Sequence, residues 1–293
     1  MRVAIIGLGL IGGSLGLALK RTRGEELEIV GYARRPEAAT EALRRRAVDA
    51  TVPDLASAAR DCDLAFICTP VRTVEEVLRV LSTHVTDRCL ITDTASTKRQ
   101  VMAWASEHLR GRGIGFVGGH PMAGKEKFGI EAAEADLFNG CTYCVTPAEW
   151  TTVKDIDLVL QVIEWLRARP LLIDAQEHDF LVAGISHLPI LVSAALVAAT
   201  TGDPRWPTMA KLAASGYRDA TRLASGNPQV NNDIFSTNRE SVLHWVDRFS
   251  QALAKLREQV ASEHSDLEAT LKLLSEARQK WLEGRWPGWK NNH

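Results

Sequence analysis

A single histidine near the middle of the chain lies among glycines and a proline, in the segment GGHPMAG at residues 118–124. Glycine lets the backbone approach a ligand closely, and Pro121 restricts the chain after His120, so the segment predicts a turn that presents an imidazole. Because imidazole titrates near neutral pH, His120 is a candidate proton acceptor or donor. A surface-loop histidine without a function fits the same segment, so the neighbouring elements must decide between the two.

A glycine-rich loop follows the first apolar run of the chain. Residues 2–6 have the pattern of a buried parallel strand, and GLGLIGGS follows before a helical pattern. In this context G-x-G-x-x-G predicts a dinucleotide site: Gly7 permits the tight turn, Gly9 lets a pyrophosphate approach, and Gly12 lets the helix pack on the strand. A glycine-rich turn without a ligand is the alternative. The predicted cofactor-binding residues are Gly7, Gly9, Leu10, Ile11, Gly12, Thr69 and Pro70, the last two at the end of a later strand.

The end of the second strand bears on the choice of cofactor. Residues 27–32 are strand-like and are followed by Ala33, Arg34 and Arg35. An NAD enzyme usually has a carboxylate here that binds the ribose hydroxyls, whereas guanidinium groups suit a 2′-phosphate. The two arginines therefore favour NADP. If they are only a solvated loop pair, NAD remains possible.

Strands and helices alternate as far as residue 174, and the periodicity is helical from residue 175 onward. We therefore predict an α/β fold, with a Rossmann-type doubly wound sheet in a dinucleotide-binding domain (1–174) followed by an all-α domain (175–293). A strand predicted at residues 114–118 places His120 just past its end, where doubly wound sheets bind ligands. Ser96 follows another strand at the same edge, although a helix N-cap would explain it equally.

The helical region carries two groups of polar residues. His187 lies in the segment SHLP, where Pro189 removes a helical hydrogen bond and predicts a kink that gives the imidazole room to reach a site. A histidine satisfied in the helical core is the alternative. Arg218, Asp219 and Arg222 form a polar cluster after Gly216, with a surface ion-pair group as the alternative.

The bulk composition excludes several classes of protein. The chain has 293 residues and a formal net charge of −1, so no strong field favours nucleic acid or an anionic membrane. We found no signal-peptide pattern and no apolar run long enough to cross a bilayer, and we expect a cytoplasmic protein. Cys141 and Cys144 form a C-x-x-C without a second pair, so no metal site is predicted.

Five motifs together resemble the prephenate/arogenate dehydrogenase family of tyrosine biosynthesis. They are GLGLIGGS, TDTASTK at residues 92–98, GGHPMAG, SHLP, and ASGYRDATRLASGNP at residues 214–228. They cover nearly the whole chain in the family's order. The resemblance implies oxidative decarboxylation of a cyclohexadiene, with hydride transfer to a nicotinamide, loss of the ring carboxylate as carbon dioxide, and formation of a phenol.

The resemblance also implies a role for each matched residue. His120 would accept the proton of the substrate 4-hydroxyl. Ser96 would hydrogen-bond to His120 and to the same hydroxyl. Arg222 would bind the ring carboxylate. His187 would contact the substrate from the helical domain, and Asp219 would lie at the mouth of the pocket, where it could pair with Arg222.

The resemblance leaves several points open. It does not decide between prephenate and arogenate, which differ in a keto acid or amino acid side chain. Long helices predicted at residues 232–256 and 260–280 could form a homodimer, and the tryptophan-rich tail at residues 281–293 could pack on the partner subunit. Two other functions compete: a β-hydroxyacid dehydrogenase-like oxidoreductase, and a non-catalytic protein that senses NADP.

Overall fold

The computed structural model describes residues 1–86, 88–125 and 127–284, and within them eight strands form one sheet. The strands are β1 (Arg2–Ile6), β2 (Glu28–Tyr32), β3 (Ala50–Thr51), β4 (Leu64–Ile67), β5 (Leu90–Asp93), β6 (Phe116–Pro121), β7 (Thr142–Pro147) and β8 (Arg169–Leu172). Their order in the sheet is β3-β2-β1-β4-β5-β6-β7-β8. The pair β6–β7 is antiparallel and the other neighbouring pairs are parallel.

Helices cover both faces of this sheet. They are α1 (Leu10–Arg23), α2 (Pro36–Arg44), α3 (Leu55–Ala59), α4 (Val74–Leu81), α5 (Arg99–Leu109) and α6 (Val153–Trp165). Val3 and Ile5 of β1 pack in the apolar layer under α1, α2 and α6, whereas Ala4 and Ile6 pack in the layer under α3, α4 and α5. Because alternate residues of one strand fill the two layers, the centre of the sheet is buried on both sides, as in a doubly wound fold, whereas the edge strand β8 is exposed. The predicted Rossmann-type architecture is confirmed.

The strand order reverses between β1 and β4. The loops that leave their carboxyl ends diverge at this point and open a crevice, which is the usual ligand site of such sheets. The glycine-rich loop follows β1, and Thr69 and Pro70 follow β4, so both predicted cofactor segments lie at the crevice.

The chain after the sheet is helical, as predicted. It comprises α7 (Ala175–Val182), a π-helical turn (Ala183–His187), α8 (Leu188–Thr201), α9 (Trp206–Leu212), α10 (Ser215–Thr221), α11 (Pro228–Thr237), α12 (Arg239–Ala261) and α13 (Leu267–Leu282). Asp174 caps α7 by accepting hydrogen bonds from the backbone N–H groups of Gln176 (2.7 Å) and Glu177 (3.2 Å). The expected kink before Pro189 takes the form of the π-helical turn.

Two of the predicted long helices have the wrong boundaries. Asn238 ends α11 with non-helical backbone angles, and its side chain donates to the Asp179 carbonyl oxygen at 2.6 Å, so the helix predicted at 232–256 is divided. The helix predicted at 260–280 begins later, where Asp266 caps α13. Contacts divide the chain into compact units at residues 1–242 and 243–293. The domain boundary at residue 174 stays a prediction, and residues 285–293 of the tail lie outside the described residues.

The expectation that no run is long enough to cross a membrane was wrong. Residues 175–201 form 27 consecutive helical residues that meet this criterion by length and composition. Residues 182–201 contain no Asp, Glu, Lys or Arg, but the helix begins with polar and charged residues. The apolar part is therefore not obvious as part of one long helix in the sequence. The criterion is weak for one helix, because helices of soluble proteins also satisfy it.

Candidate active site

His120 lies within strand β6 and not in a turn. The prediction of a turn was wrong because β7 pairs antiparallel with this segment and places Cys144 opposite His120. The glycines before His120 serve close packing: a Cβ at Gly119 would overlap the carbonyl oxygen of Asp93. The sheet therefore fixes the backbone of His120. Glycine occupies position 119 because the neighbouring backbone leaves no room for a side chain.

A second histidine and a carboxylate lie behind His120. The Nδ1 atom of His120 is 2.9 Å from Nε2 of His178, and Nδ1 of His178 is 2.8 Å from Oδ1 of Asp179. The backbone N–H groups of Lys98 and Arg99, at the start of α5, donate to the same carboxylate at 2.6 and 2.9 Å. Both imidazoles are buried.

The hydrogen bonds that link His120, His178 and Asp179 determine the tautomer of each imidazole ring. The Asp179 carboxylate accepts, so His178 donates from Nδ1 and presents the lone pair of Nε2. His120 then donates from Nδ1 to His178, which leaves its own Nε2 as an acceptor. Since His120 lines a cavity, this arrangement offers a base to whatever the cavity binds.

Burial sets the protonation state of His120. Loss of solvation lowers its pKa well below the usual 6.5, and repulsion from His178, Lys98 and His187 lowers it further. The imidazole is therefore neutral at pH 7. In this neutral form the imidazole of His120 can accept a proton.

A buried ion pair connects the Ser96 loop to the His120 strand. Lys98 and Asp93 are both fully buried and contact each other, and the Lys98 ammonium also donates to the Gly119 carbonyl oxygen at 2.6 Å. Asp93 accepts from the backbone N–H groups of Ala95 at 2.8 Å and Gly119 at 3.0 Å. This pair fixes the relative positions of the neighbouring Ser96 and His120.

A cavity of about 420 Å³ contains His120 in its wall. Ser96 and Arg222 line the same cavity, so the structure brings together three of the predicted site residues. Ile190, Ser186 and Lys125 are among the other residues that line it. The cavity thus combines a base, a hydroxyl and a guanidinium, which suits a hydroxylated carboxylic acid.

The remaining predicted substrate residues lie elsewhere. His187 is 1% exposed and is not among the lining residues; its Nδ1 is 3.4 Å from the Asn238 amide nitrogen. Burial lowers the pKa of His187 to about 4, which agrees with a neutral core histidine. Asp219 is exposed on α10 and does not line the cavity. In the described part of the chain no hydrogen bond joins Ser96 to His120, and Nδ1 of His120 is bonded to His178 instead.

Two further cavities continue from the first towards the glycine-rich loop. The middle cavity, of about 430 Å³, shares Ser96, Asn231 and Ile234 with the first cavity, which is called the substrate cavity after the function proposed for it. The outer cavity, of about 350 Å³, shares Gly9 and Pro70 with the middle one. The outer cavity is lined by Gly7, Gly9, Arg34, Arg35, Thr69 and Pro70, and the middle one by Gly9, Leu10, Ile11, Thr69, Pro70 and Ser96. An elongated ligand could extend from the arginines to the edge of the substrate cavity.

The local geometry of these cavities fits a dinucleotide. Gly7 has φ +102°, and a Cβ there would lie 2.6 Å from the Cys68 carbonyl oxygen. A Cβ at Gly12 would overlap Gly7, whereas a Cβ at Gly9 would meet no atom within 4 Å, so space is open in front of the α1 N-terminus. The Thr69 hydroxyl is buried without a hydrogen-bond partner in the described residues, so it is available to a ligand.

Comparison with known proteins agrees with this geometry. Residues 15–172 match the family "Prephenate dehydrogenase, nucleotide-binding domain", and residues 174–276 match "Prephenate dehydrogenase, dimerization domain". The chain belongs to the prephenate dehydrogenase family. It is 33% identical to the Bacillus subtilis prephenate dehydrogenase over 90% of this chain and 71% of that protein. It is 32% identical to the Zymomonas mobilis cyclohexadienyl dehydrogenase, over 90% of each chain.

Solved structures of the family have the same fold. The Aquifex aeolicus prephenate dehydrogenase in complex with hydroxyphenyl propionate and NAD+ superposes with a TM-score of 0.88 at 30% identity, covering 96% of this chain and 98% of that one. The Synechocystis arogenate dehydrogenase superposes with a TM-score of 0.81 at 32% identity, covering 96% and 100%. The predicted family is confirmed, and membership makes the chain a nicotinamide-dependent dehydrogenase.

Sequence reasoning missed the two residues that lie behind His120. His178 and Asp179 were assigned only to the start of a helix. The available signal was two adjacent ionisable residues, four and five positions after the capping Asp174, ahead of an apolar helix. Such residues need a buried partner when the helix packs against a sheet.

Proposed function

We propose that this chain oxidatively decarboxylates prephenate or arogenate with a nicotinamide cofactor. The observation that carries the proposal is the cavity in which Ser96, His120 and Arg222 meet, continuous with two cavities that suit a dinucleotide. Family members named prephenate, arogenate and cyclohexadienyl dehydrogenase support this substrate class.

In the proposed reaction His120 is the general base. A nicotinamide cofactor held along Gly7, Gly9 and Thr69 would supply the acceptor for the hydride of the ring carbon that bears the hydroxyl. His120 takes the hydroxyl proton on Nε2, and the alkoxide character that develops promotes departure of the hydride. Loss of carbon dioxide leaves its electron pair in the ring, which becomes aromatic, and His120 returns the proton to the phenolate oxygen. His178 and Asp179 hold the ring in the required tautomer and stabilise the imidazolium that forms, as the carboxylate does in a Ser-His-Asp triad.

Arg222 and Ser96 would orient the substrate. Arg222 binds the ring carboxylate with charge-assisted hydrogen bonds until that group leaves as carbon dioxide. Ser96 lines both the substrate cavity and the middle cavity, so its hydroxyl can bind the reacting hydroxyl beside the cofactor. For His187, adjacent to the lining residue Ser186, we propose an indirect role in shaping the wall. We propose no substrate contact for Asp219.

Initial rates test the proposal directly. Purified protein is given prephenate or arogenate with NAD or NADP, and the reduced cofactor is followed by absorbance. We expect turnover with at least one combination, release of carbon dioxide, and a phenolic product. Binding of cofactor without turnover in all four combinations would favour a non-catalytic NADP-sensing protein. Turnover only with a β-hydroxyacid would favour that alternative class.

We further propose that NADP is the preferred cofactor, because Arg34 and Arg35 line the outer cavity. Replacing both with alanine should raise the KM for NADP about tenfold or more and leave the KM for NAD within about twofold, since charge-assisted hydrogen bonds are worth about 1.5–3 kcal/mol. Arg60→Ala, at an exposed position outside the cavity, is the control. A wild-type enzyme active only with NAD would contradict the prediction.

The residues behind His120 give a separate prediction. His178→Leu removes the acceptor for the Nδ1 proton of His120, and kcat should fall by about 100-fold with KM little changed. His178→Gln restores an acceptor at that distance and should recover most of the loss. Steady-state kinetics of both variants test this. An equal loss in the two variants would show that the imidazole of His178 does more than orient its neighbour.

The assembly and location are also proposals. We propose a homodimer through the C-terminal helices, because the second family match is named a dimerization domain. Leu253, Val260, Leu271 and Leu274 are exposed apolar side chains on α12 and α13 that such an interface would cover. Light scattering at micromolar concentration should give twice the chain mass; a monomer would contradict this. We also propose that the enzyme is cytoplasmic.

A further inference from the structure

A buried carboxylate lies where the cavities meet and takes no part in the chemistry above. Asp233, on α11, is 4% exposed and lines the middle cavity. Its backbone carbonyl accepts from the hydroxyls of Ser236 and Thr237 at 2.9 and 2.8 Å. Within the described residues its carboxylate has no hydrogen-bond or ion-pair partner. Its carboxylate oxygens are not fully enclosed by protein and face the cavity, where a ligand can supply the missing partner.

The position of Asp233 identifies which part of a ligand it would meet. The middle cavity joins the glycine-rich loop at one end to Ser96 and Asn231 at the other. A dinucleotide with its phosphates at the loop therefore places its nicotinamide end in this cavity. Asp233 lines neither the outer cavity nor the substrate cavity.

Few other charges face this cavity. Among its described lining residues, Asp233 is the only carboxylate, and the ionised residues besides it are Lys125 and Lys127. Lys125 pairs with Glu134, which offsets its charge, and Lys127 is exposed. Among the described lining residues, the carboxylate of Asp233 is therefore opposed by two exposed lysines, whose charges water and salt screen.

The oxidised nicotinamide ring carries a positive charge and the reduced ring is neutral. We infer that Asp233 stabilises the oxidised ring electrostatically and so biases the site towards binding the oxidised cofactor and releasing the reduced one. This inference rests on the proposed function, because it needs a nicotinamide cofactor in the middle cavity. A hydrogen bond from the nicotinamide carboxamide group to Asp233 would instead strengthen the binding of the oxidised and the reduced cofactor equally.

The test measures binding and not turnover. Dissociation constants of the oxidised and reduced cofactor are determined by isothermal titration calorimetry for the wild type, Asp233→Asn and Asp233→Glu. Asp233→Asn keeps the shape and removes the charge, so the Kd of the oxidised form should rise about tenfold while that of the reduced form changes less than about twofold. Asp233→Glu keeps the charge, so the ratio of the Kd of the oxidised cofactor to that of the reduced cofactor should stay near the wild-type ratio.

The exposed Asp219→Asn is the control, and thermal melting checks that each variant is folded. Equal weakening of the two forms, or an unchanged Kd for the oxidised form, would overturn the inference while leaving the proposed function intact. A wild-type protein that binds neither form would overturn the proposed function as well. If Asp233→Asn does not fold, Asp233→Glu still provides a test. Equal Kd values for the oxidised and reduced cofactor in Asp233→Glu would count against the charge effect.

Discussion

Replacing His120 with asparagine is expected to reduce kcat by about 10²–10⁴-fold, the usual contribution of a positioned general base. Asparagine can still donate to His178, but it offers no nitrogen lone pair to the substrate hydroxyl. The cofactor cavities do not include residue 120, so the Kd of the cofactor should remain that of the wild type. Stopped-flow kinetics with saturating cofactor and calorimetric cofactor binding measure the two quantities.

The pH dependence provides a second readout for the same residue. Protonated His120 cannot accept a proton, so activity exists above its pKa and is lost as the pH falls through it. Because burial lowers that pKa, kcat/KM of the wild type should stay flat from pH 8 to below 6.5. The exposed His84→Asn variant should match the wild type throughout. Full turnover in His120→Asn would exclude the assigned base.

Removing the guanidinium of Arg222 is expected to weaken substrate binding strongly. Arg222→Gln should lower kcat/KM by about 100-fold, chiefly through KM, because hydrogen bonds to charged groups contribute about 1.5–3 kcal/mol. Arg222→Lys keeps the charge but not the planar pair of donors, and it should recover only part of the loss. Steady-state kinetics with varied substrate at saturating cofactor measure the effect.

A matched surface variant separates this effect from the general charge of the protein. Arg79→Gln removes the same charge from an exposed position on α4 and should leave kcat/KM within about twofold of the wild type. If Arg222→Gln raises KM no more than Arg79→Gln does, Arg222 does not bind the substrate carboxylate. The rest of the proposed mechanism would then need another anion-binding group.

The sequence predicted those features that depend on local pattern. The apolar runs and the glycine-rich loop determine the sheet and the crevice, and the structure reproduces them. The motifs also single out His120, Ser96 and Arg222, which line one cavity in the structure; the roles of these residues stay predictions. Patterns of this kind lie within about ten residues of sequence and carry their own physical reason.

Features that depend on long-range contact were not predicted. The glycines before His120 suggest a turn until β7, more than twenty residues later, pairs with the strand. The contact between His120 and His178 joins residues 58 positions apart. Lys98 looks like a solvent-facing residue at a strand end. In the structure it is buried, and its ammonium group contacts Asp93 and the Gly119 carbonyl oxygen. No local pattern distinguishes these outcomes.

The π-helical turn at Ala183–His187 has a consequence for how this enzyme can change in evolution. A π-turn accommodates one more residue than an α-helical turn between the same flanking helices. Deleting one residue there would convert the turn to regular α-helix and leave α7 and α8 in place, whereas a deletion elsewhere would rotate every later side chain by about 100°. Ser186 lies in this turn and lines the substrate cavity. The wall of the cavity can therefore lose one residue without disturbing the contact between His120 and His178.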